Sequence, residues 1–185
     1  SKGQLMSEVP SSPVAPAAAT AAASVPLKPL GKVVAVTSGK GGVGKTFVSA
    51  NLAAALAKHG LKVLVLDADL GLANLDVVLN LYPKVTLHDV FTGKAKLADA
   101  IIKAPGGFSV LLAGSGMVEY SRLTPEVRDK LLHIVEMVRP RFDWILFDTG
   151  AGISDVVLFS ISMAADVLVV ATPEPTSLTD AYATI

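Results

Sequence analysis

Short apolar runs alternate with longer amphipathic segments along this chain, as they do where strands and helices take turns. Val33-Val34-Ala35-Val36 has no polar interruption and precedes Phe47 to Leu56, whose alanines and leucines suit a helix. Gly60 marks the end of that helix, and Lys62-Val63-Leu64-Val65-Leu66-Asp67 reads as a second buried strand finishing in an acid. A short helical run through Leu79 follows, with Asn74 or Asp76 as its cap. Residues 86–91 and 97–102 have the spacing of two short amphipathic helices, separated by Thr92-Gly93. Phe108 to Ala113 reads as a strand stopped by Gly114-Ser115-Gly116. Thr124-Pro125-Glu126 supplies the cap, first-turn proline and first-turn acid of a helix. Val127, Leu131, Ile134, Val135 and Val138 then carry its apolar stripe toward Pro140. A strand runs from Trp144 into Asp148, a helix from Ser154 through Ala164, and a strand from Asp166 to Thr172. After the turn Pro173-Glu174-Pro175-Thr176, a last helix is predicted from Ser177 to Ile185. Uninterrupted apolar strands are covered on both faces, so the predicted fold is α/β: a mainly parallel sheet flanked by helices on both sides.

Residues 1–30 break this pattern. Pro10, Pro13, Pro16, Pro26 and Pro29 surround an alanine-rich run, which predicts a disordered, partly extended tail. An inert linker and a partner-binding arm both fit it. Met6 is a candidate start, and residues 31–185 form the expected domain. Because a helix normally packs forward into something, the one stopping at Ile185 raises the expectation that this domain has a further C-terminal part.

Composition narrows the function classes. The chain is 51% hydrophobic with a formal net charge of zero and a pI near 6.8, so no global field favours nucleic acid, and none is expected as a partner. It has no cysteine, which excludes disulfides, cysteine-ligated zinc and thiolate-held iron–sulfur clusters from this chain. No run reaches the roughly 18 apolar residues of a membrane span, and no secretory signal is read at the N-terminus.

The candidate chemistry lies at three points. Gly39-Lys40-Gly41-Gly42-Val43-Gly44-Lys45-Thr46 stands between a buried strand and a helix, the setting of a Walker A phosphate loop. Its glycines let backbone N–H groups turn toward phosphate oxygens, and the helix start adds its positive dipole end. In this pattern Lys45 reaches the β/γ-phosphates and the Thr46 hydroxyl takes a place on Mg²⁺, with ATP or ADP as the nucleotide. Asp67 and Asp69 leave the second strand at its carboxyl end, where ligands of open α/β sheets bind. Asp148 ends another strand and fits a Walker B acid that holds Mg²⁺, and glycines follow it in a loop able to move. His88 is read as a surface or capping residue, Trp144 as packed, and Lys94, Lys96 and Lys103 as a solvated face.

Together these stretches resemble the deviant Walker A ATPases of the MinD/ParA family, over residues 31–185. Within that family, Asp67 to Asp76, Asp148 to Ser154 and Thr172 to Tyr182 look most like the flagellar-number regulators of the FlhG/FleN branch. MinD proteins typically have Pro where Gly150 stands and Glu where Ser154 stands; ParA proteins usually carry Pro-Gln where this chain has Leu70-Gly71. The resemblance implies a MinD-like, SIMIBI-type P-loop NTPase and an ATP-dependent homodimer in which Lys40 reaches the partner's nucleotide. It further implies that Asp69 positions the attacking water, Asp67 supports the metal and water side, and turnover stays slow until a partner assembles the site.

The partners implied are the flagellar GTPase FlhF, a flagellar transcription regulator or basal-body components. Residues 1–30 hold no convincing copy of the Gln-containing segment with which FlhG proteins stimulate FlhF. Family members end in an amphipathic helix that binds the inner membrane face, which here would lie after Ile185. The implied localisation is cytoplasmic, or peripheral at that membrane face. Other positioning ATPases (division site, partition, pilus or chemoreceptor placement) are the nearest rivals, and a nucleotide-holding scaffold with negligible hydrolysis is a further one.

Overall fold

The computed structural model describes residues 28–114 and 117–185; most of the predicted tail, residues 1–27, lies outside them. The first half runs β1 (Lys32–Thr37), α1 (Lys45–Lys58), β2 (Val63–Ala68), α2 (Leu75–Leu79), α3 (Leu87–Phe91), α4 (Leu97–Ala100), β3 (Ile101–Lys103) and β4 (Ser109–Leu111). The second half runs α5 (Pro125–Val138), β5 (Trp144–Thr149), α6 (Asp155–Ser162), β6 (Asp166–Val169) and α7 (Pro175–Tyr182). A 3₁₀ turn at Met117–Ser121 precedes α5.

The strands form one six-stranded sheet in the order β3-β4-β2-β5-β1-β6. All pairs are parallel except β3 with β4. Successive side chains of a strand point to opposite faces. Val34, Val63, Val65 and Leu146 accordingly pack with Ala50 and Ala53 of α1. Val33, Leu64, Leu66, Ile145 and Phe147 pack on the other face with Leu131 and Ile134 of α5 and Val156 of α6. The unalternated strands β1, β2 and β5 are thus explained, since each face has its own helical cover; the equally apolar β6, at the sheet edge, is instead largely exposed, with Val167 and Leu168 open to solvent.

Several boundaries differ from the sequence reading: β4 spans only Ser109–Leu111, β6 stops at Val169 rather than Thr172, α7 stops at Tyr182 rather than Ile185, and two further differences have a local physical cause. The segment 97–102 is not one helix. It ends at Ala100, and Ile101 and Ile102 turn into an antiparallel strand opposite Leu111 and Val110. The physical reason lies further on, where Gly106 and Gly107 take φ of 97° and 87° and turn the chain back, closed by the Ala104 N–H donating to the Phe108 carbonyl at 2.9 Å. The last helix begins at Pro175 rather than Ser177, because proline at the first helical position has no N–H to leave unsatisfied.

The sheet order sets the site. β5 lies between β2 and β1, so the carboxyl ends of these strands and the loop after β1 share one edge. Asp67 and Asp148 become direct neighbours across β2 and β5.

Candidate nucleotide-binding site

The loop from Ser38 to Gly44 closes on the start of α1. Gly44 caps that helix with φ 92°, and Gly42 has φ 75°, values that side chains with a Cβ rarely adopt. A Cβ on Gly41, Gly42 or Gly44 would meet nothing within 4 Å, so the loop's outer side is open. The first turn of α1 carries no acid, which leaves the positive end of a 14-residue helix uncompensated at that opening. Above it lies a cavity of about 740 Å³, lined by Gly42, Gly44, Lys45 and Thr46 from the loop and by Asp69 and Asn74 from beyond β2. That volume lies within the range of small-molecule sites, about 300–1,000 Å³.

Beneath the loop, Lys45 Nζ lies 3.3 Å from Asp148 Oδ1, with both side chains largely withdrawn from solvent. Ser49, one turn along α1, donates to the same carboxylate oxygen at 3.1 Å. Thr46 Oγ1 donates to Asn74 Oδ1 at 3.2 Å, which leaves the hydroxyl lone pairs free to ligate a cation. Asp69 is held between two loops: its Oδ1 accepts from the Leu72 N–H at 3.2 Å and would lie 3.3 Å from a Cβ on Gly150. The Gly152 N–H donates to the Ser38 carbonyl at 2.9 Å and ties the loop after β5 to the phosphate loop.

Not every predicted residue faces the cavity. Lys45, Thr46, Asp69, Gly41, Gly42 and Gly44 line it, whereas Lys40, Asp67 and Asp148 do not. Val43 is half-buried in the loop. Gly39 presses on α7, where a Cβ would stand 2.1 Å from the Asp180 carbonyl carbon. Asp148 sits one layer below, reached through Lys45. Asp67 backs the site: it accepts from the Asp69 N–H at 3.3 Å and borders an adjoining cavity of about 370 Å³. Sequence reasoning missed a place at the site for Ser49, Asn74 and Glu174. The one local signal is Ser49, a polar residue four positions after Lys45 in an alanine-rich helix. Gly114 is a packing glycine with φ 84°, and a Cβ there would strike Thr86. His88 sits in α3, whose capping box is formed by Thr86 and Asp89, and its ring meets Tyr120 edge-on.

Burial, then the neighbouring Asp148 and Asp69 charges, push the Asp67 carboxyl from the ordinary 3.8 up to about 8; the N–H groups of Asp69 and Leu75 only partly offset this. The folded chain therefore keeps a proton that the unfolded chain releases near pH 4. The stability tied to it is fully present below that point and is lost as pH rises toward about 8. In nucleotide-free protein, urea midpoints should fall across this window, with this group contributing at most about 1.4 kcal/mol per pH unit. Asp67→Asn should flatten the profile; an equally steep one would place the titration elsewhere.

A mostly parallel sheet with a glycine loop and a buried lysine–aspartate pair at its carboxyl edge defines a P-loop nucleotide-binding protein. A family model described as AAA domain matches residues 31–183, and the chain belongs to the MinD/ParA family of P-loop ATPases, close to FleN. It is 49% identical over 154 residues to the antiactivator FleN of Pseudomonas aeruginosa, covering 83% of this chain and 55% of FleN. It is 41% identical over 155 residues to the flagellum site-determining protein YlxH of Helicobacter pylori, covering 83% of this chain and 52% of YlxH. The cell division ATPase MinD of Pyrococcus furiosus superposes with a TM-score of 0.72 at 36% identity, over 84% of this chain and 65% of that one. MinD of Pyrococcus horikoshii, complexed with Mg-ADP, superposes with a TM-score of 0.70 at 35% identity, over 82% of this chain and 62% of that one. The chain spans about half the length of the curated relatives it matches.

Proposed function

We propose that this chain is the core of a Mg-ATP-dependent dimerising ATPase switch that regulates flagellar number or placement. It hydrolyses ATP to ADP and phosphate to reset its dimer and its partner or membrane binding. The observation that carries the reading is the open glycine loop with Lys45 seated on Asp148 below it and Asp69 on the same cavity wall. Phosphoryl transfer needs positioning and charge neutralisation more than covalent chemistry, and these residues supply both.

Lys45 would leave Asp148 to bind the β/γ-phosphates, while Asp69, held by the Leu72 N–H, aims the attacking water. The donor set suits Mg²⁺. Among the described residues no three Asp, Glu or His side chains converge on one metal point, whereas Mg²⁺ keeps several waters and takes one or two protein ligands beside substrate phosphates. Thr46 and Asp148 would hold it, with Asp67 behind them, and it would neutralise phosphate charge. Lys40 would act on the nucleotide of a second copy.

The likeness to FleN and YlxH supports the flagellar half of the reading. FlhF, a flagellar transcription regulator or basal-body components are the proposed partners, met in the cytoplasm or at the inner membrane face. Among the described residues no helix is long and apolar enough to cross a membrane. The test is solution mass beside ATP turnover. Wild type should form dimers with ATP but not ADP, and Lys40→Ala should remain monomeric with turnover reduced about 10³-fold or more, the scale of a trans cation. A monomer that hydrolyses equally well without Lys40 overturns the trans-lysine mechanism.

A further inference from the structure

Lys40 is the residue that the proposed switch sends across a dimer, yet it is engaged within its own chain. Its Nζ lies 3.3 Å from Glu174 Oε2, a partner 134 positions away in sequence. Glu174 is the N-cap residue of α7, but its side chain makes no cap hydrogen bond, so its own helix does not use the carboxylate. Pro173 and Pro175 flank it. A proline on each side leaves the backbone few alternatives, and Glu174 sits in the extended region at φ −70° and ψ 136°. Less conformational freedom is therefore lost when its carboxylate takes hold of the lysine.

The supports of the two groups are themselves joined. Gly39 meets α7 backbone to backbone at Asp180 and Ala181, so closely that no side chain fits between them. At the other end of α7, buried Ser177 accepts from the Thr172 N–H at 3.0 Å. The Val170 N–H donates to the Thr37 carbonyl at 2.8 Å and fixes the start of the α7 connection to the end of β1. Loop and helix thus form one unit that presents Lys40 to Glu174.

We propose that Glu174 is a cis latch on Lys40: in the resting chain it holds the lysine on its own protomer, and dimer formation requires this pair to open. The inference rests on the proposal that Lys40 acts on the second copy's nucleotide. The latch is weak by construction, since the side chains are 43% and 64% exposed and solvent screens the pair. An exposed ion pair shifts an equilibrium by about two- to fivefold. A symmetric dimer opens two latches, so the factor enters twice, about four- to 25-fold in the dimer dissociation constant. Weakness suits a reversible restraint, because nucleotide phosphates carry more charge than one carboxylate and can outcompete it once a second protomer is near. Glu174 is then a restraint on assembly, with no contact to the reacting atoms.

Glu174→Gln keeps the side chain's size and removes its charge, and no cap hydrogen bond is lost with it. Two readouts are needed. In nucleotide-free protein, the acylation rate of the Lys40 amine, measured by mass spectrometry against exposed Lys58, should rise about two- to fivefold in Glu174→Gln and return toward wild type in Glu174→Asp. With a slowly hydrolysed ATP analogue, sedimentation should show the Glu174→Gln dimer about four- to 25-fold tighter than wild type. An unchanged Lys40 rate overturns the latch. So does a Glu174→Gln dimer no tighter than the wild-type one, and a weaker one would place Glu174 among the dimer contacts. A wild-type chain that stays monomeric with the analogue overturns the switch reading itself, and the restraint with it.

Discussion

Lys45→Ala is expected to lose nucleotide affinity by about 10²-fold or more, because the group proposed to meet the phosphates is gone and nothing else in the loop carries its charge to that point. The same change should weaken the empty protein. Lys45 and Asp148 have side-chain exposures of 11% and 2%, and the variant leaves Asp148 as a buried carboxylate with Ser49 as its remaining side-chain donor. Breaking a buried pair from one side costs about 3–5 kcal/mol. For a chain of this length that is a fall in melting temperature of roughly 10 °C. Calorimetry with ADP and thermal melts of the empty protein check both parts. Unchanged affinity would remove the phosphate role from Lys45, and an unchanged melting temperature would mean that the pair with Asp148 adds nothing to stability.

Asp69→Ala should separate binding from chemistry. Asp69 lines the cavity without forming the loop, so ATP affinity should stay within a few-fold of wild type. Turnover should fall about 10²–10⁴-fold, the range for a group that orients or deprotonates a reacting water. The ATP-bound state should then accumulate, and dimers should persist where wild type lets them decay. Asp69→Asn is the informative companion, because it retains an oxygen able to accept from the Leu72 N–H but has lost the charge. If Asn restores turnover, position is the contribution of Asp69; if it is as inactive as Ala, charge is. Loss of ATP affinity in both variants would instead move Asp69 from the water side to the nucleotide side.

These two residues are legible in the sequence because the pattern around each is local. Gly42, Gly44, Lys45 and Thr46 belong to one strand–turn–helix unit, where spacing alone decides which atoms face the opening. Asp69 follows an apolar strand and Asp148 lies in the last two residues of another, and the carboxyl ends of parallel strands must share an edge of the sheet. The Ile101-Ile102 pair is less legible. Two apolar residues fit a helix end or a short strand equally well, and the glycines that turn the chain back come several positions later.

The sequence by itself determined the α/β class, the phosphate loop and the acids at the strand ends, since each follows from periodicity or spacing within a few residues. Only the tertiary structure decided how the acids share their work. Placing β5 between β2 and β1 makes Asp67 a neighbour of Asp148, and burial beside that charge keeps Asp67 protonated while Lys45 takes Asp148. The same holds for Asn74 beneath Thr46, Ser49 beside Asp148, and Glu174 on Lys40. The Thr46, Asp148 and Lys40 pairings join residues far apart in the chain; which pairs meet depends on strand order and helix docking, which no local pattern encodes.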